Sequence, residues 1–168
     1  EEAAYEMGYI TKKQLHTLAA PLLKSGYGKH LMHSINLKLE KTNLEDCFIL
    51  SPKVFEDERG TFSETFNAKN FLDQTGIAVT FVQDNQSTSK YGVVRGLHFQ
   101  TGVHGQAKLV RVVKGSALDV VVDLRKGSPS FGKSFSIVLS GENKKQLFVP
   151  RGFAHGFSVL EDDTVFAY

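Results

Sequence analysis

The sequence predicts a mainly β protein of the sandwich or jelly-roll type. From Cys47 onward, short runs rich in Val, Phe, Ile and Leu follow one another. Breaks that carry Gly, Pro, Asn, Asp or Ser separate them, as at Asp57–Gly60 and Ser140–Asn143. Such breaks every eight to twelve residues or so are typical of antiparallel strands in packed sheets. With 41% hydrophobic residues in a chain of 168, there is enough apolar material for a buried core.

Residues 1–32 precede the β region and have a helical pattern. Thr11 is a candidate N-cap, and Gln14 three residues later completes a capping box. A short amphipathic helix is therefore predicted over Thr11–Lys24, with another around residues 2–7. Its apolar face consists of Leu15, Leu18, Leu22 and Leu23. Two helices of this size cannot form a core alone, so we expect an appendage that docks on another element.

The string GYITKKQLHTLAAPLLKSGYGKHL in this appendage resembles the C-terminal end of bacterial glucose-1-phosphate thymidylyltransferases. The nucleotide loop and catalytic carboxylates of that family would lie upstream of Glu1, so no transferase activity is expected. Residues 33–44 are predicted to be a linker, and residues 45–168 one domain, incomplete at its C-terminus. The join could be a natural fusion or an artificial junction.

The β region is predicted to hold ten strands and one helical turn or two at Ala68–Gln74. The strands are expected near residues 47–51, 61–66, 79–84, 93–100, 108–114, 117–124, 134–139, 146–149, 153–160 and 164–168.

Alternation in the run Ala117–Leu124 places Asp119 and Asp123 on one face together with Ala117 and Val121. Two carboxylates on an inward face would be unusual. That face is therefore either a polar cavity or the solvated outside of a sheet, and periodicity alone does not decide between them. Asp119 is a candidate to orient a neighbouring side chain.

The run RGLHFQTGVHGQAK at 95–108 concentrates chemistry on a predicted hairpin. Histidine side chains such as that of His98 ordinarily titrate near neutral pH, and Arg95 and Lys108 can hold a phosphate or a developing negative oxygen. These residues suit proton transfer beside a bound anion. The alternative is a histidine with a structural role and two cations on a solvated rim.

The composition and the motifs of the chain narrow the possible classes of protein. A formal charge of +2 with evenly mixed signs does not indicate nucleic acid binding. Cys47 is the only cysteine, so no internal disulfide can form, and together with the absence of a signal-peptide pattern this predicts a cytoplasmic protein. No apolar run approaches the length of a membrane span. Neither a Rossmann fingerprint, a phosphate loop nor a nucleophile elbow occurs.

The run PRGFAHGF at 150–157 resembles part of a motif of cupin jelly rolls, in which a Pro-Gly turn aims a histidine into the barrel. The resemblance favours a cupin-like jelly roll, a double-stranded β-helix. Because cupins often bind metal, we weighed a site formed by His98, His104 and His155. Position 100 is Gln100 rather than a second histidine, and no Glu follows at the usual distance, so a metal site is not favoured.

Five collinear blocks resemble the dTDP-4-dehydrorhamnose 3,5-epimerase family. They are DERGTFSETFN at 57–67, TFVQDNQSTSKYGVVRGLHFQ at 80–100, QAKLVRVVKG at 106–115, DVVVDLRKGSPSFGK at 119–133 and ENKKQLFVPRGFAHGFSVL at 142–160. The resemblance implies inversion at C3 and C5 of dTDP-4-dehydro-6-deoxy-D-glucose by proton removal and return, with neither metal nor nicotinamide required. Whether both carbons are inverted stays open, because related enzymes invert only one.

The same resemblance assigns roles to individual residues. His98 would be the base, Lys108 would stabilise the enolate oxygen, and Tyr168, thirteen residues beyond His155, would return the proton. It implies that the nucleotide-sugar site is lined by Arg59, Glu64, Gln83, Asn85, Arg95 and His155. A homodimer is expected on the same basis.

The resemblance implies further strands after Tyr168 that supply an aspartate for His98, so these 168 residues alone would be impaired or inactive. The alternatives are a non-catalytic or inactive dTDP-sugar-binding cupin module and a metal-dependent isomerase. Arg95 and His98 are three residues apart, so they can serve one cavity only if Gly96 permits a kink or bulge.

Overall fold

The computed structural model describes residues 4–5, 7–22 and 37–168. They group into two compact units. The larger unit comprises residues 39–51 and 81–168, and the smaller unit comprises the described parts of 1–38 and 52–80. Among the described residues, no helix is long and apolar enough to cross a membrane.

The larger unit is built from strands, with one 3₁₀ turn at Gly102–His104. In chain order the strands are β1 (Lys38–Lys41), β2 (Phe48–Ser51), β5 (Gln86–Ser89), β6 (Val94–His98), β7 (Lys108–Lys114), β8 (Ser116–Asp123), β9 (Ser134–Ser140), β10 (Gln146–Val149), β11 (Phe153–Val159) and β12 (Thr164–Ala167). The smaller unit contributes the hairpin of β3 (Val54–Asp57) and β4 (Gly60–Ser63).

The strands other than β3 and β4 form two sheets. One has the order β1-β2-β10-β7-β12-β5 and the other β6-β11-β8-β9. Consecutive strands from β9 to β12 alternate between the sheets, and the pairings of β10 with β7, β11 with β8 and β12 with β7 are antiparallel. This exchange of strands between two sheets is the jelly-roll arrangement, and it confirms the predicted fold class.

The core lies between the inner faces of the two sheets. The six-stranded sheet contributes Val110 and Leu147, and the four-stranded sheet contributes Val121 and Leu139, all of them fully buried. Each such side chain contributes about 1.5–3 kcal/mol by its burial. The strand alternation that places them inward also decides which polar side chains point inward.

Strand β8 shows this consequence. Asp119 and Asp123 are 0% exposed and share their face with the buried Ala117 and Val121. The carboxylates therefore lie on the inward face, and the alternative of a solvated outer face is wrong. Burial of two carboxylates requires partners, which the next strands and loops provide.

The smaller unit contains helix α1 (Lys12–Ala19), continued by a 3₁₀ turn to Leu22, and helix α2 (Ala68–Thr75). The predicted capping box of α1 is confirmed: the Gln14 amide donates to Thr11 Oγ1, and the Thr11 amide donates to Gln14 Oε1. Residues 23–24 of the predicted helix, and residues 2, 3 and 6 of the helix predicted around residues 2–7, lie outside the described residues; Ala4 and Tyr5 are helical.

The strand predicted near 79–84 is wrong. Residues 77–85 are not in a strand, and pairing starts only at Gln86. The apolar alternation there is misleading because Val82 is 91% exposed. The predicted strand near 61–66 is shorter and pairs with β3, a strand that the sequence pattern did not indicate. The remaining predicted strands agree to within about three residues at their ends.

Candidate active site

Strand β6 carries His98 and Arg95, and a bulge brings both to the same face. Arg95 pairs with Phe157 and His98 with His155, so Gly96 and Leu97 of β6 oppose the single Gly156 of β11. Gly96 makes this possible with a φ of +106°. A Cβ at this position would lie 2.6 Å from the carbonyl oxygen of His155. The kink expected at Gly96 is therefore present, and Arg95 does not face away from His98.

His98 and Lys108 meet from opposite sheets, since β6 and β7 belong to different ones. Lys108 Nζ lies 3.2 Å from His98 Nε2. An ammonium group can only donate, so a charged Lys108 makes Nε2 the acceptor and places the proton of the neutral ring on Nδ1. A basic nitrogen and a fixed cation thus stand within one hydrogen-bond length.

Electrostatics favour the neutral form of His98. Its pKa is lowered below its ordinary value, first by burial and then by the positive charge of Lys108 and the nearby His155. Burial also lowers the pKa of Lys108, and the carboxylate of Asp119 partly offsets this. A neutral imidazole beside an ammonium group suits a general base paired with an electrostatic stabiliser.

Behind this pair lies a buried acid and base. His155 Nε2 is 2.8 Å from Asp119 Oδ2, and the two residues are 2% and 0% exposed. Burial raises the pKa of Asp119, and the hydrogen bond to His155 opposes that rise. Asp119 Oδ1 and His155 Nδ1 have no hydrogen-bond partner among the described residues. Both atoms are themselves buried, so neither is open to solvent.

The aromatic rings extend this arrangement. The His155 ring lies edge-on to that of His98, with 6.0 Å between centroids. Phe157 and Phe166 stack across the two sheets at 3.9 Å and 3°, and the ring of Tyr168 lies 6.1 Å from that of Phe166. Sequence patterns gave no indication of the Phe157–Phe166 stack, because it joins two strands that are not hydrogen-bonded to one another.

Tyr168 is half-buried against the core and is held by its backbone. Its amide donates to the carbonyl oxygen of Asn85 at 2.9 Å, and the Asn85 amide donates back at 2.7 Å. The Gln83 side-chain amide donates to Asn85 Oδ1 at 2.9 Å. The structure therefore brings Gln83, Asn85 and Tyr168 together at one end of β12.

Arg95 bonds to the hydroxyl of Ser89, with Nε and Nη2 at 3.2 and 3.1 Å from Oγ. Ser89 is a further residue near the candidate site that the sequence alone did not indicate.

Arg59 and Glu64 belong to the smaller unit. The guanidinium of Arg59 pairs with the carboxylate of Asp57. Glu64 accepts hydrogen bonds from the side-chain amides of Asn67 and Asn70.

No group of three or more His, Cys, Asp or Glu side chains in the described ranges has a metal-binding arrangement. Of the three histidines considered from the sequence, His155 bonds to Asp119 and lies beside His98, which contacts Lys108, whereas His104 is exposed on the 3₁₀ turn.

Comparison with known proteins identifies the family. The family model described as dTDP-4-dehydrorhamnose 3,5-epimerase matches residues 41–168. The chain belongs to this family. A dTDP-4-dehydrorhamnose 3,5-epimerase of Shigella flexneri is 56% identical over 128 residues, which cover 76% of this chain and 71% of that protein.

Solved structures agree. A Legionella pneumophila epimerase in complex with dTDP-4-keto-L-rhamnose is 48% identical, with a TM-score of 0.76 over 79% of this chain and 70% of that one. A 3′-monoepimerase from Streptomyces bikiniensis, in complex with dTDP, is 30% identical with a TM-score of 0.72, covering 76% of this chain and 64% of that one. That structure is a double mutant with a histidine and a tyrosine replaced, 70 positions apart.

Proposed function

We propose that the protein is a dTDP-4-dehydrorhamnose 3,5-epimerase that acts on dTDP-4-dehydro-6-deoxy-D-glucose in dTDP-L-rhamnose biosynthesis. The observation that carries the proposal is the contact of Lys108 Nζ with His98 Nε2 at 3.2 Å, on the inward faces of a jelly roll that belongs to this family. The reaction inverts two carbons that flank a ketone.

The proposed reaction begins with removal of an acidic proton from the substrate. The C4 carbonyl of the substrate makes the C3 and C5 protons removable, and neutral His98 accepts one of them. Negative charge then develops on the carbonyl oxygen, where the ammonium group of Lys108 stabilises the enolate. When the substrate oxygen takes the place of His98 as the partner of Lys108, the lone pair on Nε2 becomes free to accept the proton. Substrate binding therefore replaces the contact between His98 and Lys108 with two catalytic contacts, one from each residue to the substrate.

Tyr168 is the proposed acid, which returns a proton from the opposite face. Support comes from its position beside Phe166, on the sheet facing that of His98. The separation of His98 and Tyr168 in sequence is also 70 residues, the separation of the histidine and tyrosine replaced in the monoepimerase structure. That match supports the assignment of both residues.

The remaining proposed contacts hold the nucleotide-sugar. Arg95 can exchange its bonds with Ser89 for bidentate bonds to a diphosphate, the geometry that a guanidinium group favours. His155 is oriented by Asp119, and its ring lies edge-on to that of His98 beside the proposed site of proton transfer. The proposed set of substrate contacts is Arg59, Glu64, Gln83, Asn85, Arg95 and His155.

Solvent exchange tests the proposal. In D₂O the ketosugar should incorporate deuterium at C3 and C5, which NMR resolves. His98→Ala should slow exchange at both carbons by roughly 10²–10⁴-fold, because the base is lost. His104→Ala, which removes an exposed histidine, is the matched control and should exchange normally.

The outcomes separate the alternatives. Exchange that His98→Ala leaves unchanged would exclude His98 as the base. Exchange at one carbon only would indicate a monoepimerase. Binding of the ketosugar without any exchange would indicate a sugar-binding module instead of an enzyme.

A homodimer and a cytoplasmic location belong to the same proposal. Strand β6 is at the edge of its sheet, and Val94 and Leu97 on it are 68% and 56% exposed, so a second copy could cover this edge. Light scattering should give the mass of two chains; a single-chain mass would contradict the dimer. Cell fractionation tests the location, which the single free cysteine supports.

A further inference from the structure

The N-terminal segment has a small core of its own in the smaller unit. Tyr5, Leu15 and Ala19 form a buried cluster and are 4%, 0% and 0% exposed. Helix α1 has eight residues, and a helix of that length is not stable alone in water. Its stability therefore depends on what the segment contacts.

One contact is with helix α2, through the side chain of Tyr5. The Tyr5 hydroxyl donates to Asp73 Oδ2 at 3.0 Å. Lys69 Nζ lies 4.2 Å from the centroid of the Tyr5 ring and 3.0 Å from the same Asp73 oxygen. A hydrogen bond to a carboxylate, a cation–π contact and an ion pair thus converge on one buried ring.

The same helix supports a proposed substrate contact at its N-terminus. Asn67 is the N-cap of α2, and its Oδ1 accepts the Asn70 amide at 3.0 Å. The side-chain amides of Asn67 and Asn70 donate to the carboxylate of Glu64 at 3.4 and 3.2 Å. Glu64 is therefore held by the first turn of α2, and Tyr5 contacts Lys69 in that turn and Asp73 in the next.

We propose that the N-terminal segment is a positioning element for nucleotide binding, in which Tyr5 is the positioning residue. By holding Asp73 and Lys69, it fixes α2 and, through Asn67 and Asn70, the carboxylate of Glu64. The inference rests on the proposed function, since it takes Glu64 to be a substrate contact. It assigns the segment a role in ligand affinity and none in proton transfer.

Calorimetric titration with dTDP tests the role of Tyr5. Tyr5→Phe removes only the hydroxyl and should raise the Kd by about three- to tenfold, which is a part of the worth of one hydrogen bond to a charged group in a folded protein. Tyr9→Phe is the matched control, because Tyr9 is in the same segment and 76% exposed; its Kd should not change. In turnover, Tyr5→Phe should raise the KM and leave the kcat unchanged.

A second variant gives an independent route. Asp73→Ala should weaken dTDP binding, and the double variant Tyr5→Phe/Asp73→Ala should be no weaker than Asp73→Ala alone, because the Tyr5 hydroxyl has no acceptor once the carboxylate is removed. Hydrogen exchange of the α2 amides should accelerate in all three variants and not in Tyr9→Phe.

Three outcomes would contradict the positioning role of the N-terminal segment. Faster exchange in α2 with an unchanged Kd would reduce the segment to a structural role and overturn the inference. Single effects that add would also overturn it, because Tyr5 and Asp73 would then act separately. Failure of the unaltered protein to bind dTDP would overturn the proposed function, and the inference would fall with it.

Discussion

Two carboxylates on β8 are equally buried and have opposite surroundings. Asp123 accepts hydrogen bonds from the Arg125 guanidinium and backbone amide and from the hydroxyls of Ser128 and Ser130. Asp119, four residues earlier on the same face, has one partner, His155, and one oxygen without a partner among the described residues. Both are 0% exposed.

The difference appears in their pKa values. Hydrogen bonds from Arg125, Ser128 and Ser130 outweigh the effect of burial and hold the pKa of Asp123 far below its ordinary range. At Asp119 the effect of burial exceeds that of the hydrogen bond with His155, and the pKa of the carboxyl group is raised. The number of hydrogen-bond donors around a buried carboxylate therefore decides whether it stabilises the fold or remains able to respond to a ligand. The following predictions sharpen this contrast.

Asp123→Ala should produce the largest effect, a loss of about 3–5 kcal/mol in the free energy of unfolding, because Arg125 and two serines lose a buried partner. Urea denaturation measures it. Glu142→Ala removes an exposed carboxylate from the turn after β9 and should change stability by less than about 0.5 kcal/mol. A small loss at Asp123 would show that its network contributes little.

Asp119→Asn should leave stability unchanged or higher, since it removes a buried charge and keeps an oxygen for His155. Turnover should fall by roughly 10–100-fold, an effect in the range found for residues that orient functional groups. Because the Asp119 carboxylate raises the pKa of Lys108, its loss should also move the alkaline limb of the rate profile to lower pH. Unfolding as severe as that of Asp123→Ala would remove the distinction between the two carboxylates.

Lys108→Met should give the smallest change, seen in an NMR titration of the His98 ring. The ammonium charge contributes to the lowered pKa of His98, so its removal should raise that pKa toward the ordinary value. The sign follows because a neighbouring cation disfavours the imidazolium form. Lys114→Met, on the same strand, is the control. An unchanged or lower His98 pKa would contradict the proposed coupling.

The sequence predicted the strands with clear alternation, and it predicted the residues of the His98–Lys108 pair through family resemblance. It could not decide the direction of Asp119, because alternation gives two equivalent faces and only the packing of β8 against the opposite sheet selects one. The spurious strand at 79–84 has the reverse cause, since alternation exists there without a ladder partner. The Asp119–His155 contact joins residues 36 apart, beyond what local patterns report.

Gly96 and Gly156 face each other at the bulge where β6 pairs with β11, and a Cβ on Gly156 would lie 2.7 Å from the carbonyl oxygen of Arg95. Neither residue takes part in proton transfer, yet the backbone-to-backbone approach leaves no room for any side chain at either position. The alignment of the His98 imidazole with its neighbours thus depends on the absence of a side chain at both positions. Random mutagenesis should find Gly96 and Gly156 as intolerant of substitution as the reacting residues.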